Sequence, residues 1–394
     1  MSSLTNVTVR SYNYRLLPKK HQHEALSRIL NDQRVLYNAA LEERIGACRC
    51  TGKVRSYQDQ CRAITEWRKE DEIARTTPAN LQRWTLKRVD DAFNAFFRRA
   101  KAKGEKAGFP RFRSYNRWKT FGFNEFSGIR LIGNRLLFKG LRGGLKIHLH
   151  RPLPENPDIR SCSFTRDEKG WTVSFQIAIV PVALPKTGKE VGIDLGISTL
   201  MALSDGTQIP NMRVGQKAQS ELRIAQRALS RCKKGSRRRK KVKKEVTRLH
   251  AKIKNTRSTY LHQVSTRLVK EYDLIAMENL NIKGLASGFL AKQVNDVSWG
   301  KLQNYIRYKA EGAGKRVVEV SPNYTSQICP GCGVIKPKSL SERVHNCDSC
   351  GLVMDRDHAS AMVIYDRAVV GPGIGNVVRL GKRRFGNISL EISK

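Results

Sequence analysis

Two C-x-x-C pairs, Cys329-Pro-Gly-Cys332 and Cys347-Asp-Ser-Cys350, are separated by fourteen residues. Each pair fits a tight turn whose backbone N–H groups stabilise thiolates. Two such turns present four sulfurs in a tetrahedron suited to one Zn²⁺. Gly331, Gly333 and Gly351 give the backbone the freedom these turns need. Four thiolates leave no open coordination position, so the expected metal is structural. His345, inside the intervening loop, reads as a packing or phosphate contact rather than a ligand. Cys48, Cys50, Cys61, Cys162 and Cys232 are scattered and read as free thiols.

A second group of residues is acidic and lies in apolar or glycine-rich surroundings. In VGIDLGIS, strand alternation puts Val191, Ile193 and Leu195 on one face and Gly192, Asp194 and Gly196 on the other. Asp194 is then flanked by two residues without side chains, leaving room for a metal and a phosphate. In DLIAMENL, Glu278 ends a buried strand, where a charge needs a partner. In MDRDHASAMVIYDRAV, Asp355 and Asp357 stand in the first turn of a helix with Ala361, Ile364 and Ala368 behind them. Singly, each has a plainer reading: Asp194 as a turn former, Glu278 as a strand-end charge, Asp355 as a helix N-cap. Together, without a dedicated basic partner, they suit two Mg²⁺ ions and phosphodiester hydrolysis.

The charge balance names the partner class. Lys and Arg number 74 against 34 Asp and Glu in 394 residues, a net of +40. Such an excess implies a polyanion, and nucleic acid is the expected one. No apolar run approaches the roughly 20 residues that span a bilayer. The N-terminal stretch has no apolar core of a secretory signal, so a cytoplasmic location with no membrane partner is expected.

The elements that must position these residues fall into three textures. Residues 3–16 alternate like a strand, and Pro18 opens a helical region to about residue 104. Its aromatic stripe, which includes Trp84, Phe93, Phe96 and Phe97, reads as bundle core. Short β-rich runs from Gly108 to Pro185 read as an antiparallel barrel or sheet that takes in the first strand. PVALPKTGKE reads as a linker. From Glu190, three strands lead to a basic helical hairpin turning near Gly235, then to two short strands with a helix between them. The expected domains are residues 1–17 as the first barrel strand, 18–107 as a helical recognition domain, and 108–187 as the rest of the barrel. Residues 188–324 form a nuclease domain with the hairpin at 215–270, and 325–352 a zinc-ribbon insertion. Residues 353–370 return to the nuclease domain, and 371–394 form a flexible basic tail.

Strand-Asp, helical insertion, strand-Glu, zinc knuckle and Asp-helix, in that order, resemble the RuvC-like nuclease of TnpB (OrfB-type) insertion-sequence proteins, relatives of compact type V CRISPR effectors. The resemblance is carried by VGIDLGISTLMALSDG, IAMENLNIKGL, VSPNYTSQICPGCG and CGLVMDRDHASA. RLLPKKHQHEAL, LYNAALEER, DDAFNAFFRR and FPRFRS extend it upstream. It implies an RNase H-like fold with catalytic Asp194, Glu278 and Asp357, and Asp355 in support. Ala359 stands where the family usually has Asn. The resemblance also implies a bacterial protein that binds a guide RNA from the transposon end, as a monomer per RNA, and becomes nucleoid-associated on DNA. It would recognise a target-adjacent motif and cut double-stranded DNA. Gln82, Arg83, Arg111 and Arg113 are candidates for contacts with the motif or guide. Arg237, Arg238, Arg239 and Lys240 in KKGSRRRKKVKK are candidates for a phosphate backbone. A weakly cleaving RNA-guided regulator and a RuvC-like resolvase or transposase remain open on the sequence.

Overall fold

The computed structural model describes residues 7–52, 55–102, 107–168, 170–212, 216–285, 298–339 and 342–370. The tail expected at 371–394 lies outside the described residues. The chain forms two compact units, Met1–Val180 and Pro181–Lys394.

In the first unit, strand β1 (Thr8–Leu17) alternates and turns Tyr14 and Leu16 inward. Helix α1 (Lys20–Thr51) follows, with Leu26, Ile29, Leu30, Tyr37, Ala40 and Leu41 buried at helical spacing. It stops at Gly52, whose φ of 65° is the left-handed cap that glycine adopts without strain. Helices α2 (Tyr57–Glu70) and α3 (Glu72–Thr76) lead to α4 (Ala79–Lys101), which buries Leu81, Leu86, Val89 and Phe93. The aromatic stripe is split: Phe93 is in the core, while Phe97 is 43% exposed.

Six more strands complete a sheet: β2 (Thr120–Phe123), β3 (Ile129–Ile132), β4 (Arg135–Phe138), β5 (Leu145–His148), β6 (Asp158–Asp167) and β7 (Gly170–Ile179). Their order is β2-β6-β7-β1-β5-β4-β3, and all pairings are antiparallel. Strand β1 is hydrogen-bonded between β7 and β5, so the four helices are carried in sequence between two strands of one sheet.

The second unit is mixed α/β. Strands β8 (Glu190–Leu195), β9 (Thr199–Leu203) and β10 (Gln208–Pro210) form an antiparallel meander. Helices α5 (Gln216–Arg231) and α6 (Arg237–Glu271) are joined through Gly235, at φ 86°. Strand β11 (Leu274–Glu278) then enters parallel to β8, and β12 (Arg316–Val320) parallel to β11. The short helix α7 (Ile282–Leu285) and helix α8 (Trp299–Gly312) lie between these two strands in sequence. The strand order is β10-β9-β8-β11-β12. One sheet face buries Val191, Ile193 and Ile275 against Leu261, Val264 and Leu268 of α6 and Leu302 and Ile306 of α8. On the other, Leu274, Ala276 and Val320 pack on Ile364 of helix α9 (Arg356–Val370). Strands β13 (Val344–Asn346) and β14 (Val353–Asp355) pair beside the cysteine turns.

The segment read as a linker is anchored instead. Leu184 N–H donates to the Ala313 carbonyl at 2.9 Å, and the Lys315 ammonium to the Pro185 carbonyl at 2.6 Å. The Asp273 carboxylate accepts from Thr187 N–H at 2.9 Å, from Gly188 N–H at 2.7 Å and from Lys315. These donors hold Asp273 well below the usual carboxylate range, the Lys315 hydrogen bond foremost. Among the described residues, no helix is long and apolar enough to cross a membrane.

Candidate active site and metal centre

Strand register brings the first two carboxylates together. Ile193 of β8 lies beside Met277 of β11 in a parallel pairing, so one step further Asp194 and Glu278 stand abreast at the carboxyl ends of neighbouring strands. Alternation turns both toward the face that α9 covers. Gly192 permits that cover: a Cβ there would lie 2.1 Å from the Ala361 carbonyl oxygen and 2.7 Å from Tyr365 N. The space beside Asp194 read as room for metal and phosphate is therefore filled, on the Gly192 side, by helix backbone. Glycine is needed because strand and helix touch. At Gly196 a Cβ would lie 3.8 Å from Asp357 Oδ2, which sets that carboxylate at the end of β8.

Asp357 is fixed by its own helix start. The Asp355 carboxylate accepts from Asp357 N–H at 2.9 Å and His358 N–H at 3.0 Å, an N-cap for α9. Asp355 is exposed, and its carboxylate is taken up by these backbone N–H groups. His358 Nε2 lies 3.2 Å from the Ser204 carbonyl, tying the same turn to the end of β9. Two contacts escaped the sequence reading. Thr325 Oγ1 donates to Glu278 Oε1 at 2.5 Å, and Gln303 Nε2 donates to the Glu278 carbonyl at 3.0 Å. Thr325 stands in the motif VSPNYTSQICPGCG, where its place just ahead of the first knuckle was the available signal.

Electrostatics mark the corner as short of positive charge. Asp194 is pushed up to about 8, first by burial and then by the charges of Glu278 and Asp357. Burial also raises Glu278, against the hydrogen bond from Thr325 and the charge of Arg367. The expectation of no basic partner needs amending. Arg356 Nη2 lies 3.4 Å from Asp357 Oδ1 and draws Asp194 down, though not far enough to offset burial. A half-buried acid that holds its proton to about 8 is a site a hard divalent cation would discharge, and carboxylate oxygens are the donors Mg²⁺ takes. Among the described residues, the four cysteines are the only group of three or more acidic, His or Cys side chains with ligand atoms all within 4.8 Å of one another. The carboxylates are thus set wider than a single-ion cage.

The cysteines meet the requirements for zinc. Sulfurs of Cys329 and Cys350 are 3.6 Å apart, and those of Cys332 and Cys347 3.5 Å. A tetrahedron with Zn–S near 2.3 Å has edges of about 3.8 Å. Both turns repeat one pattern: Gly333 N–H to Cys329 O and Gly351 N–H to Cys347 O, each 2.8 Å. Backbone N–H groups of Cys350 and Ser349 draw Cys347 down to about 6, while burial pushes Cys329 up to about 12. Four thiolates this close repel, and a dication lets them ionise together. His345 is fully buried with its Nδ1 against the Lys338 ammonium, which leaves it a packing residue and excludes the phosphate contact.

The expected nucleic-acid residues divide. Gln82 is buried, its Oε1 accepting from Arg68 at 2.8 Å and its Nε2 donating to Ala74 O at 3.1 Å. Its amide serves the helices and is not presented to a partner. Arg83 and Arg111 are exposed. Arg113 is exposed, with its guanidinium 5.7 Å above the Tyr37 ring. Arg237, Arg238 and Lys240 are exposed, but Arg239 donates to Leu229 O at 2.8 Å and Cys232 O at 3.1 Å, closing the end of α5.

Three family models match: "Probable transposase" of the OrfB_IS605 type over residues 174–287, the "Cas12f1-like, TNB domain" over 299–364, and a "Helix-turn-helix domain" over 8–53. In the last region this chain forms a strand and one long helix. A Streptomyces pristinaespiralis protein named "Putative RNA-guided DNA endonuclease" is 32% identical, covering 94% of this chain and 92% of its own. InsQ of Escherichia coli (strain K12), whose name carries the same description, is 26% identical over 95% and 96%. The solved Cas12f1 chain in a complex with sgRNA and target DNA shares the fold at a TM-score of 0.58 and 13% identity, covering 88% of this chain and 83% of that one. With the acidic corner and the cysteine cluster set where these models match, and with that identity along nearly its whole length, the chain belongs to the TnpB (OrfB-type) family of insertion-sequence proteins.

Proposed function

We propose that this protein is an RNA-guided DNA endonuclease that cuts double-stranded DNA at an RNase H-like centre formed by Asp194, Glu278 and Asp357. The observation that carries the reading is the corner itself: two carboxylates abreast on parallel strands, a third on the helix covering them, and Asp194 raised to about 8 by burial and by its two carboxylate neighbours. Bound Mg²⁺, as two ions, would supply an activated water and stabilisation of the leaving oxygen. The chain's own residues do the positioning. Thr325 holds one Glu278 oxygen. Asp355 and His358 fix the first turn of α9, and with it Asp357. Cys329, Cys332, Cys347 and Cys350 would hold one structural Zn²⁺ within a ribbon at 325–352. The first unit supplies a barrel-like domain with an inserted helical recognition domain. In this division of labour, pairing with a guide RNA from the transposon end carries sequence, and protein reads a short adjacent motif and backbone shape.

The test is expression with the flanking DNA, sequencing of co-purified RNA, and Mg²⁺-dependent cleavage of a target that matches the guide end and follows randomised bases. A discrete RNA with guided cuts that vanish in Asp194→Ala is the expected result. Absence of a specific RNA, or cuts that survive Asp194→Ala, would overturn it.

A further inference from the structure

Residues 107–119, AGFPRFRSYNRWK, carry four cations and no carboxylate. They form neither helix nor strand, yet they are fastened along their length. Arg99 Nη2 donates to the Gly108 carbonyl at 3.3 Å. Phe109 meets Phe93 and Phe96 edge-on, at centroid distances of 5.6 and 5.0 Å. Asn38 of α1 brackets Arg113, its Oδ1 accepting from Arg113 N–H at 2.8 Å and its Nδ2 donating to the Arg113 carbonyl at 3.1 Å. Trp118 is buried 5.0 Å from the Tyr37 ring, with the Arg88 guanidinium 5.1 Å from its own.

Between these fastenings the side chains point outward. Phe112 is 54% exposed and Tyr115 51%. Arg111 and Arg117 flank them in the open. Arg166 of β6 lies 5.1 Å from the Tyr115 ring centre and donates to its hydroxyl at 3.3 Å, which steadies that ring. An apolar protein surface would be a poor match for a segment with four cations and no carboxylate. A duplex keeps its base faces stacked inside. Unpaired nucleotides offer both a free π-face and a phosphate at each step.

We infer that residues 107–119 are a stacking strap for unpaired nucleotides, with Phe112 and Tyr115 each taking one base and Arg111 and Arg117 the flanking phosphates, while Arg166 holds the Tyr115 ring in place. The inference rests on the nucleic-acid reading above and adds the strand state of the ligand and the residues that meet it. Arg113 stands outside the contact set, because its backbone is held by Asn38 and its guanidinium lies over Tyr37.

The test uses the full chain, freed of co-purifying nucleic acid at high salt, with oligo-uridine, oligo-thymidine and a duplex as probes across a salt series. Removing a stacking ring weakens single-strand binding roughly tenfold. Phe112→Ala and Tyr115→Ala are each expected to show that loss, with duplex affinity and salt slope unchanged. Tyr115→Phe keeps the ring and should bind as the parent does. Arg111→Ala and Arg117→Ala should each lower the single-strand salt slope by about 0.7. A larger ring effect on oligo-uridine would assign the strap to guide RNA, and a larger one on oligo-thymidine to a displaced DNA strand. Parental single-strand affinity in Phe112→Ala/Tyr115→Ala, or equal losses on duplex, would overturn the strap. Ring-dependent binding in a protein that gives no guided cleavage would sink the endonuclease reading and leave the strap. Guided cleavage with ring-independent binding would do the reverse.

Discussion

Gly192→Ala adds one methyl group two residues from Asp194 on the same strand, and it should cost most of the cleavage activity. The new Cβ would meet the Ala361 carbonyl oxygen at 2.1 Å and Tyr365 N at 2.7 Å. Both are backbone atoms inside a helix, so no rotamer relieves the contact. Helix α9 must retreat by about 1.3 Å or more to reach ordinary van der Waals distance. Its first turn carries Asp357, and a displacement of about 1 Å in a catalytic group costs roughly 100-fold in rate. Overpacking of this kind costs about 1–3 kcal/mol of stability, more than the few tenths to 1 kcal/mol gained by replacing a strand glycine. The assay is single-turnover cleavage at saturating Mg²⁺, with RNA content, guided DNA binding and zinc content measured alongside. Binding and zinc should persist while the rate falls. A variant that cleaves at the parental rate would refute the claim that close docking of α9 on β8 sets the site. Tyr365→Ala should not rescue it, since the nearest obstacle is the Ala361 carbonyl.

Three further outcomes follow from the same geometry. In magnesium-free buffer the protein should lose stability as pH rises from about 4 to about 8, because folded Asp194 keeps its proton to about 8 while the unfolded chain releases it near 3.8. Thermal melts at about pH 5 and pH 8 should show that slope, flattened in Asp194→Asn; an unchanged slope in that variant would assign it elsewhere. Metal analysis should find one zinc per chain, and Cys347→Ser should lose it and open the 325–352 ribbon to protease, since the metal supplies roughly 10 kcal/mol or more of local folding energy. Within the basic run, Arg239→Ala should cost about 1–2 kcal/mol of stability by freeing the two carbonyls it closes. Arg238→Ala should leave the melt unchanged and reduce the salt slope of duplex binding by about 0.9.

Strands and helices were legible where periodicity was strong. β8, β11 and β12 each appear as a short apolar run, and the α5–α6 hairpin as a repeating seam broken at Gly235. The Cys turns were legible because four ligands at fixed spacing have few other uses. What the sequence hid was the use of side chains by backbone. Gln82, read as a candidate contact with the motif or guide, is consumed by Arg68 and Ala74, and Arg239, read with its basic neighbours, caps α5. The anchored 181–190 segment looked like a linker because Asp273 and Lys315, which pin it, lie more than eighty residues away. Gly192 was noticed for the wrong reason. Absence of a side chain is visible in a sequence, but which neighbour fills the space is a property of the fold.

The same fold explains how an acidic corner survives in a chain of net charge +40. Distant cations are screened within about 10 Å at ordinary ionic strength, whereas burial and the neighbouring carboxylates act on Asp194 at contact range. The basic exterior can therefore gather a polyanion without quenching the centre. It also creates a conflict, because a phosphate brought to Asp194, Glu278 and Asp357 meets like charge unless cations lie between. Above about pH 9, where Asp194 is ionised without metal, Asp194→Asn should thus bind guided target DNA at least as well as the parent in chelator, and up to roughly fivefold more tightly, since removing one charge near a phosphate is worth about 1 kcal/mol at a half-buried site. Near pH 7, where the parent Asp194 already holds its proton, the two should bind alike. Added Mg²⁺ should tighten parental binding and change the variant less. Weaker binding by the variant in chelator would mean that Asp194 does not face the phosphate, and the catalytic assignment would fall with it.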